Sequence, residues 1–336
     1  MKGASRNLVR LVEVAYRLEI DQQEWLDGLA EVLGTMGGAA YGLMVYEYDA
    51  SEPENGVQIP AYALHKIGEE FAQGTLTHHA HSPPDDTRRV YHSGIRCGTT
   101  SELFAPTGIL PVEHESFSLV SSCCGGVEDA WGLSASNPDG RGVGIAAPLY
   151  EVTKMSDSMR ELWGLVGVHL ATAYRLRRGG DEQTRSPDAV FEPNGRLVHA
   201  NGIGFDSGLI ERTGEAVRRR ERARSSEVRR EPQAALQMWK GLVDGRWSLV
   251  EQLDGDGRRL VVAHENEPPV DGPTILTKPE RQVAAYFAQG DSIDRIAYSL
   301  GFDRQRVVEL IESVMEKLDV ETRDEVTALF HTYLGR

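Results

Sequence analysis

Between residues 277 and 325 the chain carries four helix starts and two glycine stops, spaced so closely that only a bundle of short helices fits. Thr277-Lys278-Pro279-Glu280 is a capping box. The Thr hydroxyl and the Glu carboxylate each satisfy an orphan N–H, and proline sits harmlessly in the first turn. The helix it opens runs through Val283, Ala284 and Phe287 and stops at Gly290. Asp291 or Ser292 caps a short second helix containing Ile293, Ile296, Ala297 and Leu300. Gly301-Phe302 makes a turn, and Asp303 caps a third helix with Val307, Leu310, Ile311, Val314 and Leu318 facing inward. Thr322-Arg323-Asp324-Glu325 is a second capping box and opens a fourth helix through Val326 and Phe330. Helix, tight turn, helix at this spacing is the arrangement that lays a second helix in a DNA major groove.

The landmarks Leu276, Thr277, Glu280, Val283, Gly290, Ser292, Ile296, Ala297, Leu300, Val307, Lys317, Leu318, Val320 and Arg323 together resemble the LuxR-type (GerE-like) helix-turn-helix. That resemblance implies a four-helix domain over 273–336 that binds double-stranded DNA as a dimer, behind an amino-terminal sensor. Arg304, Gln305 and Arg306, at the start of the third helix, stand where base edges are read. Lys278, Arg281, Arg295, Lys317 and Arg323 are the candidate backbone contacts.

Charge sets a second reading beside the first. The whole chain holds 36 Lys and Arg against 51 Asp and Glu, a net charge of −15. Such a balance repels polyanions unless a local patch reverses it. Residues 272–336 hold 8 basic and 11 acidic residues. Glu309, Glu312 and Glu316 lie at i, i+3 and i+7, so they form one acidic stripe on the third helix. The module therefore reads either as a DNA-binding domain led by Arg304, Gln305 and Arg306, or as a protein-binding adaptor that no longer grips DNA.

Upstream, two further units are expected. Residues 1–178 read as one α/β (α+β) unit. Two amphipathic helices lead into a strand at Ala40–Tyr48, with Asp21 at the N-cap of the second helix. Helical stretches at Tyr62–Gln73 and Asp85–Ser93 follow, then two strands flanking Asn137-Pro138-Asp139-Gly140, and a closing helix over Asp157–Arg177. This layout is similar to GAF-like sensor domains. Residues 185–266 are similar to a small α+β PAS-like domain. Hairpins at Ala189–Asn201 and Trp247–His264 flank a helical span over 209–241, and the segment from Glu267 to Pro273 is a linker. The resemblances imply a cytoplasmic regulator. A small-molecule signal or protein partner at 1–178 would bias the pairing of two carboxy-terminal modules on DNA.

Searches for other chemistry return little. The eight arginines from Arg212 to Arg230 are interleaved with glutamates, as on a solvated helix laced by i,i+4 pairs. His78, His79 and His81, with His65 and His92 near, lack the spacing of a metal site. Cys123-Cys124 reads as buried packing, with redox sensing the alternative, and three cysteines build no disulfide framework. Gly140-Arg141-Gly142-Val143-Gly144 leads into a strand and is no phosphate cradle. No nucleophile elbow, Walker motif or kinase signature appears, so neither an enzyme nor a cofactor is expected. The first twenty residues are broken by charges and do not read as a signal peptide, and Leu162–Tyr174 is too short to span a bilayer.

Overall fold

The computed structural model describes residues 4–36, 41–94, 96–105, 125–179, 187–201 and 206–334, with a few positions between 106 and 124. Cys123 and Cys124 lie outside the described residues.

Helices α1 (Ala4–Ala15) and α2 (Gln22–Gly34) open the chain, and Asp21 caps α2 by accepting from Glu24 N at 2.8 Å. A five-stranded antiparallel sheet follows: β1 (Leu43–Asp49), β2 (Gln58–His65), β3 (Arg96–Thr99), β4 (Asp129–Ser136) and β5 (Arg141–Leu149). Its order is β2-β1-β5-β4-β3. Alternation sorts the side chains. Val45, Leu133, Ala135, Val143 and Ile145 face α1, α2 and the long α6 (Asp157–Arg178). Met44, Tyr46 and Tyr48 face the other way and join Phe71 and Tyr91 of α3 (Glu69–Ala80) and α4 (Pro84–Tyr91). A short α5 (Thr100–Phe104) follows β3, opened by a Thr99–Glu102 capping box.

The helix expected over Tyr62–Gln73 is corrected. Tyr62–His65 belongs to β2, where Leu64 pairs with Met44 and Tyr62 with Tyr46, and the helix starts only after Gly68. Cross-strand pairing overrides a local apolar spacing that both periods could fit. The turn at Asn137–Gly140 forms as expected, with Gly140 N donating to Asn137 O at 3.0 Å.

A four-stranded antiparallel sheet forms next, in the order β7-β6-β9-β8. It comprises β6 (Ala189–Phe191), β7 (Leu197–Ala200), β8 (Trp247–Leu253) and β9 (Arg259–Glu265). The span expected to be helical over 209–241 is broken. Helix α7 (Ser207–Ala223) ends well before Pro232, a 3-10 turn covers Val228–Arg230, and α8 (Pro232–Met238) begins on that proline. The arginines here are not simply solvated. Arg220 is 3% exposed and stacks 4.9 Å from the Trp239 ring, while Arg224 and Arg229 both reach Glu13 on α1. The local pairs are i,i+3, as Arg218 with Glu215 and Arg224 with Glu221.

Helix α6 lies between the layers and is buried continuously from Trp163 to Leu176. That burial accounts for its apolar circumference, and no described helix is long and apolar enough to cross a membrane. One apolar cluster extends from α1, α2 and α6 to Leu236, Trp239, Val250, Val262 and Tyr298.

The last four helices are α9 (Lys278–Ala288), α10 (Ile293–Leu300), α11 (Arg304–Leu318) and α12 (Arg323–Leu334). Thr277 N donates to Glu280 Oε2 at 2.7 Å, closing the expected box. Ser292, rather than Asp291, caps α10 by accepting from Arg295 N at 3.2 Å. Asp303 occupies the N-cap position of α11, but its side chain makes no capping bond. Gly301 ends α10 with φ +72°, and any β-carbon there would collide with the Leu242 carbonyl. Only glycine meets both demands. Val283, Ile296, Leu300, Phe302 and Val307 form one core with Leu242, whereas Leu276, Ala284, Val314, Val326 and Phe330 form another.

Candidate functional site

Helices α10 and α11 have different fates. Glu309, Glu312 and Glu316 are exposed along α11, as are Arg304 and Gln305 at its start, so the outer face of this helix meets solvent. Helix α10 is instead gripped from below. Tyr298 Oη donates toward the carbonyls of Leu236 (2.7 Å) and Trp239 (2.9 Å), and lies 2.9 Å from His169 Nε2 on α6. Around it, Gly245 N donates to Leu300 O at 2.5 Å, Lys240 Nζ to Phe302 O at 2.9 Å, and Gln282 Nε2 to Gly245 O at 3.0 Å.

The six cationic or polar residues picked from the sequence do not form one surface. Arg304 pairs with Asp294 at 3.1 Å, and Gln305 donates to Glu309 at 3.2 Å; both remain exposed. Arg306 stacks 4.3 Å from the Phe302 ring and lies 3.8 Å from Asp244 of the preceding unit. Lys317 donates to both oxygens of the buried Glu280, at 2.7 and 2.8 Å. Burial alone would raise the Glu280 carboxyl, but Lys317, the Thr277 N–H and Ser313 outweigh it and hold it at about 2. Lys278 pairs with Glu267. Arg323 stacks 4.2 Å from Phe287 and donates to the carbonyls of Phe287 and Asp291, and Arg281 donates to Leu276 O at 2.7 Å.

Arg295 turns away from α11 altogether. Its guanidinium rests on Gly164 of α6, where a β-carbon would collide with it. Its Nη1 is buried and has no hydrogen-bond partner among the described residues. Beside it lies Asp291, 8% exposed, with Oδ2 buried and unpartnered. Burial raises the Asp291 carboxyl to about 6, against the opposing pull of Arg295, Arg96 and Arg323.

Arg295 also lines a cavity of about 530 Å³ whose lining takes residues from both faces of the five-stranded sheet at its β4-β3 end. On the α3 and α4 side it is lined by the small residues Gly132, Ser134 and Ala146. Its far end is a buried neutral triad. His79 Nε2 lies against Tyr91 Oη and 3.3 Å from Tyr46 Oη, and its Nδ1 against Thr75 O at 2.7 Å. Burial lowers His79 to about 3 and raises Tyr46 to about 12, so all three are uncharged near neutrality. The near end is cationic, with Arg96, Arg160 and Arg295. Arg160 is committed to Glu102 at 2.8 Å and to Cys97 O at 2.7 Å. Size and lining suit a small organic ligand.

Sequence reading missed this cavity. The available signal was in β4, where Ala130, Gly132 and Ser134 alternate with Trp131 and Leu133. A strand face of small side chains leaves room above it unless the facing layer is bulky. The histidines weighed as metal ligands act here as a packed triad member (His79) and as a bond to Ala50 O at 2.6 Å (His92). Among the described residues, no three His, Cys, Asp or Glu side chains group to hold a metal ion. Compared with known proteins, the chain matches no family model and no curated protein.

Proposed function

We propose that this chain is a signal-responsive transcription regulator, with a GAF-like sensor region, a PAS-like middle region and a LuxR-type helix-turn-helix. The observation that carries the reading is the division of labour between α10 and α11. Docking uses α10, through Tyr298 and Arg295, and leaves the outer face of α11, the helix that would enter a major groove, uncovered. The cavity and the docked helix share Arg295, so occupancy of one changes the energy of the other. A ligand or partner that binds the docked and undocked arrangements unequally would shift their populations, and with them the presentation of α11, by its differential affinity for the two.

A second reading is favoured by the ion pairs. Lys278, Arg304, Arg306 and Lys317 each have a carboxylate partner within the chain, and Glu309, Glu312 and Glu316 stand exposed farther along α11. An adaptor that meets a protein rather than DNA would need no free cations.

A salt series separates the two. The full chain is titrated onto promoter-length duplex at rising salt. The regulator reading expects affinity that falls linearly with log salt. No salt-sensitive binding at the lowest salt leaves the adaptor reading in its place.

A further inference from the structure

The carboxy-terminal module engages its own cations internally. Lys278 pairs with Glu267 and Lys317 with Glu280, Arg281 and Arg323 donate to carbonyls, and Arg295 rests on Gly164. Contacts to a duplex backbone each need a cation, so α11 alone is poorly equipped to hold one. We infer that helix α7 of the preceding unit makes up the shortfall, with Arg219 and Arg222 gripping the phosphates of duplex DNA beside the groove that α11 enters. The inference rests on the regulator reading and deepens it by a second DNA-contacting surface.

Three observations converge. First, one carboxylate joins the two helices. Arg212 of α7 donates to Asp244 Oδ2 at 2.6 Å, and Arg306 of α11 lies 3.8 Å from Asp244 Oδ1. Second, Lys240 links them again. Its Nζ donates to Phe302 O at 2.9 Å, just before α11 begins. Burial lowers Lys240, and Arg219 adds to that pull against the opposing Asp303 and Asp244, so Arg219 stands within electrostatic reach of the start of α11. Third, Arg219 and Arg222 are uncommitted. Both are exposed, and neither has an ion pair among the described residues. Arg219 follows Arg212 by two helical turns on the same side of α7, and Arg222 adjoins it at i+3.

Charge and reach both suit a duplex. Arg212, Arg218, Arg219 and Arg222 of α7, Lys240, and Arg304 and Arg306 of α11 stand against Glu211, Glu215, Asp244, Asp294 and Asp303. Cations exceed acids on this flank, in a chain whose net charge is −15. Arg219 and Arg222 lie about 10 and 15 Å along α7 from Arg212 at the helical rise. Both distances fall inside one duplex turn of about 34 Å, and an arginine fork matches phosphate oxygens in pairs. Such contacts fix position on the duplex without reading sequence, which leaves base contact to α11.

The test uses the full chain and fluorescence anisotropy on a labelled promoter-length duplex of mixed sequence, titrated at rising salt. The double variant Arg219→Ala, Arg222→Ala is expected to flatten the slope of log affinity against log salt by about one unit per arginine, about two in all. The double variant Arg219→Lys, Arg222→Lys keeps both charges and is expected to keep the wild-type slope. Arg17→Ala removes an exposed arginine from the turn between α1 and α2, where it pairs with Glu19, and is expected to leave the slope unchanged. Circular dichroism of each variant establishes that it is folded. A slope unchanged in the alanine pair, a slope that the lysine pair fails to hold, or a loss of about one unit with Arg17→Ala overturns the inference and leaves the regulator reading standing. Absence of salt-sensitive binding by the wild type at the lowest salt overturns both.

Discussion

Tyr298 Oη lies 2.9 Å from His169 Nε2, and the other nitrogen of that imidazole lies 3.2 Å from Tyr16 Oη. One buried ring thereby ties α10 to α6 and to the turn that follows α1. Tyr298 spends its own proton on the carbonyls of Leu236 and Trp239, so the tautomer that satisfies every partner has the proton on Nε2 and an acceptor at Nδ1. Burial lowers His169 to about 3, which keeps the ring neutral and the relay intact near neutral pH. The carboxy-terminal helices are anchored to the amino-terminal unit through this relay.

Removing the Tyr298 hydroxyl therefore tests the anchor. Tyr298→Phe keeps the ring but strips a partner from two carbonyls and from His169. A loss of about 1–3 kcal/mol is expected, as for buried groups left unsatisfied. Urea unfolding followed by fluorescence measures it, and a change within error would show that the relay contributes nothing to docking.

Arg304 and Arg306 should part company. On the regulator reading, Arg304→Ala weakens specific DNA binding by about 1–3 kcal/mol. Arg306 is turned to Phe302 and Asp244, so Arg306→Ala should change DNA affinity less. Its cost is instead in folding stability, below about 1 kcal/mol for a half-exposed pair. Fluorescence anisotropy on labelled duplex gives the first comparison. Equal losses in DNA binding would mean that α11 is presented differently from the arrangement described.

Lys317→Ala leaves the Glu280 carboxylate buried beside only Ser313 and the Thr277 N–H. Because Lys317 is one-third exposed, water relieves part of the penalty, and about 1–2 kcal/mol is expected. The pH sign follows from the lowered carboxyl. Glu280 moves from an ordinary 4.5 to about 2, so its contribution is complete above 4.5 and is lost as pH falls toward 2. Wild type and variant should converge at acid pH; a gap that persists at pH 2 would contradict the pairing.

Asp291 works in the opposite direction. Its carboxyl is raised from 3.8 to about 6, so the folded chain binds the proton more readily than the unfolded one between those values. The cost of the buried charge is absent below about 4 and fully felt above about 6. Asp291→Asn should accordingly be the more stable protein at pH 7, by about 1–3 kcal/mol, and indistinguishable near pH 4. Thermal unfolding across that window reads the difference. A variant less stable than wild type at pH 7 would show that Arg295, Arg96 and Arg323 more than offset the cost of burying the Asp291 charge.

Several features were legible in the residues alone because their causes are local. The boxes at Thr277–Glu280 and Thr322–Glu325, the stops at Gly290 and Gly301, and the turn at Asn137–Gly140 all act within three or four residues. A side chain and a backbone N–H that close in sequence meet in any fold that forms the turn. The misread Tyr62–His65 shows the limit, since its extended form depends on Leu43–Tyr46 lying alongside.

The sequence by itself determined two mixed α/β stretches and four short helices, with an acidic stripe on the third. The tertiary structure decided where the cations go. Arg295 meets Gly164, Arg306 meets Asp244 and Lys317 meets Glu280, partners from 37 to 131 residues away. No spacing rule reaches that far. A charge on a helix surface can be paired, buried or free according to which neighbour the fold brings within a few ångströms, because Coulomb and hydrogen-bond energies fall away over that distance. The cavity, too, is a property of packing: small residues on one strand face became space only because α3 and α4 did not fill it.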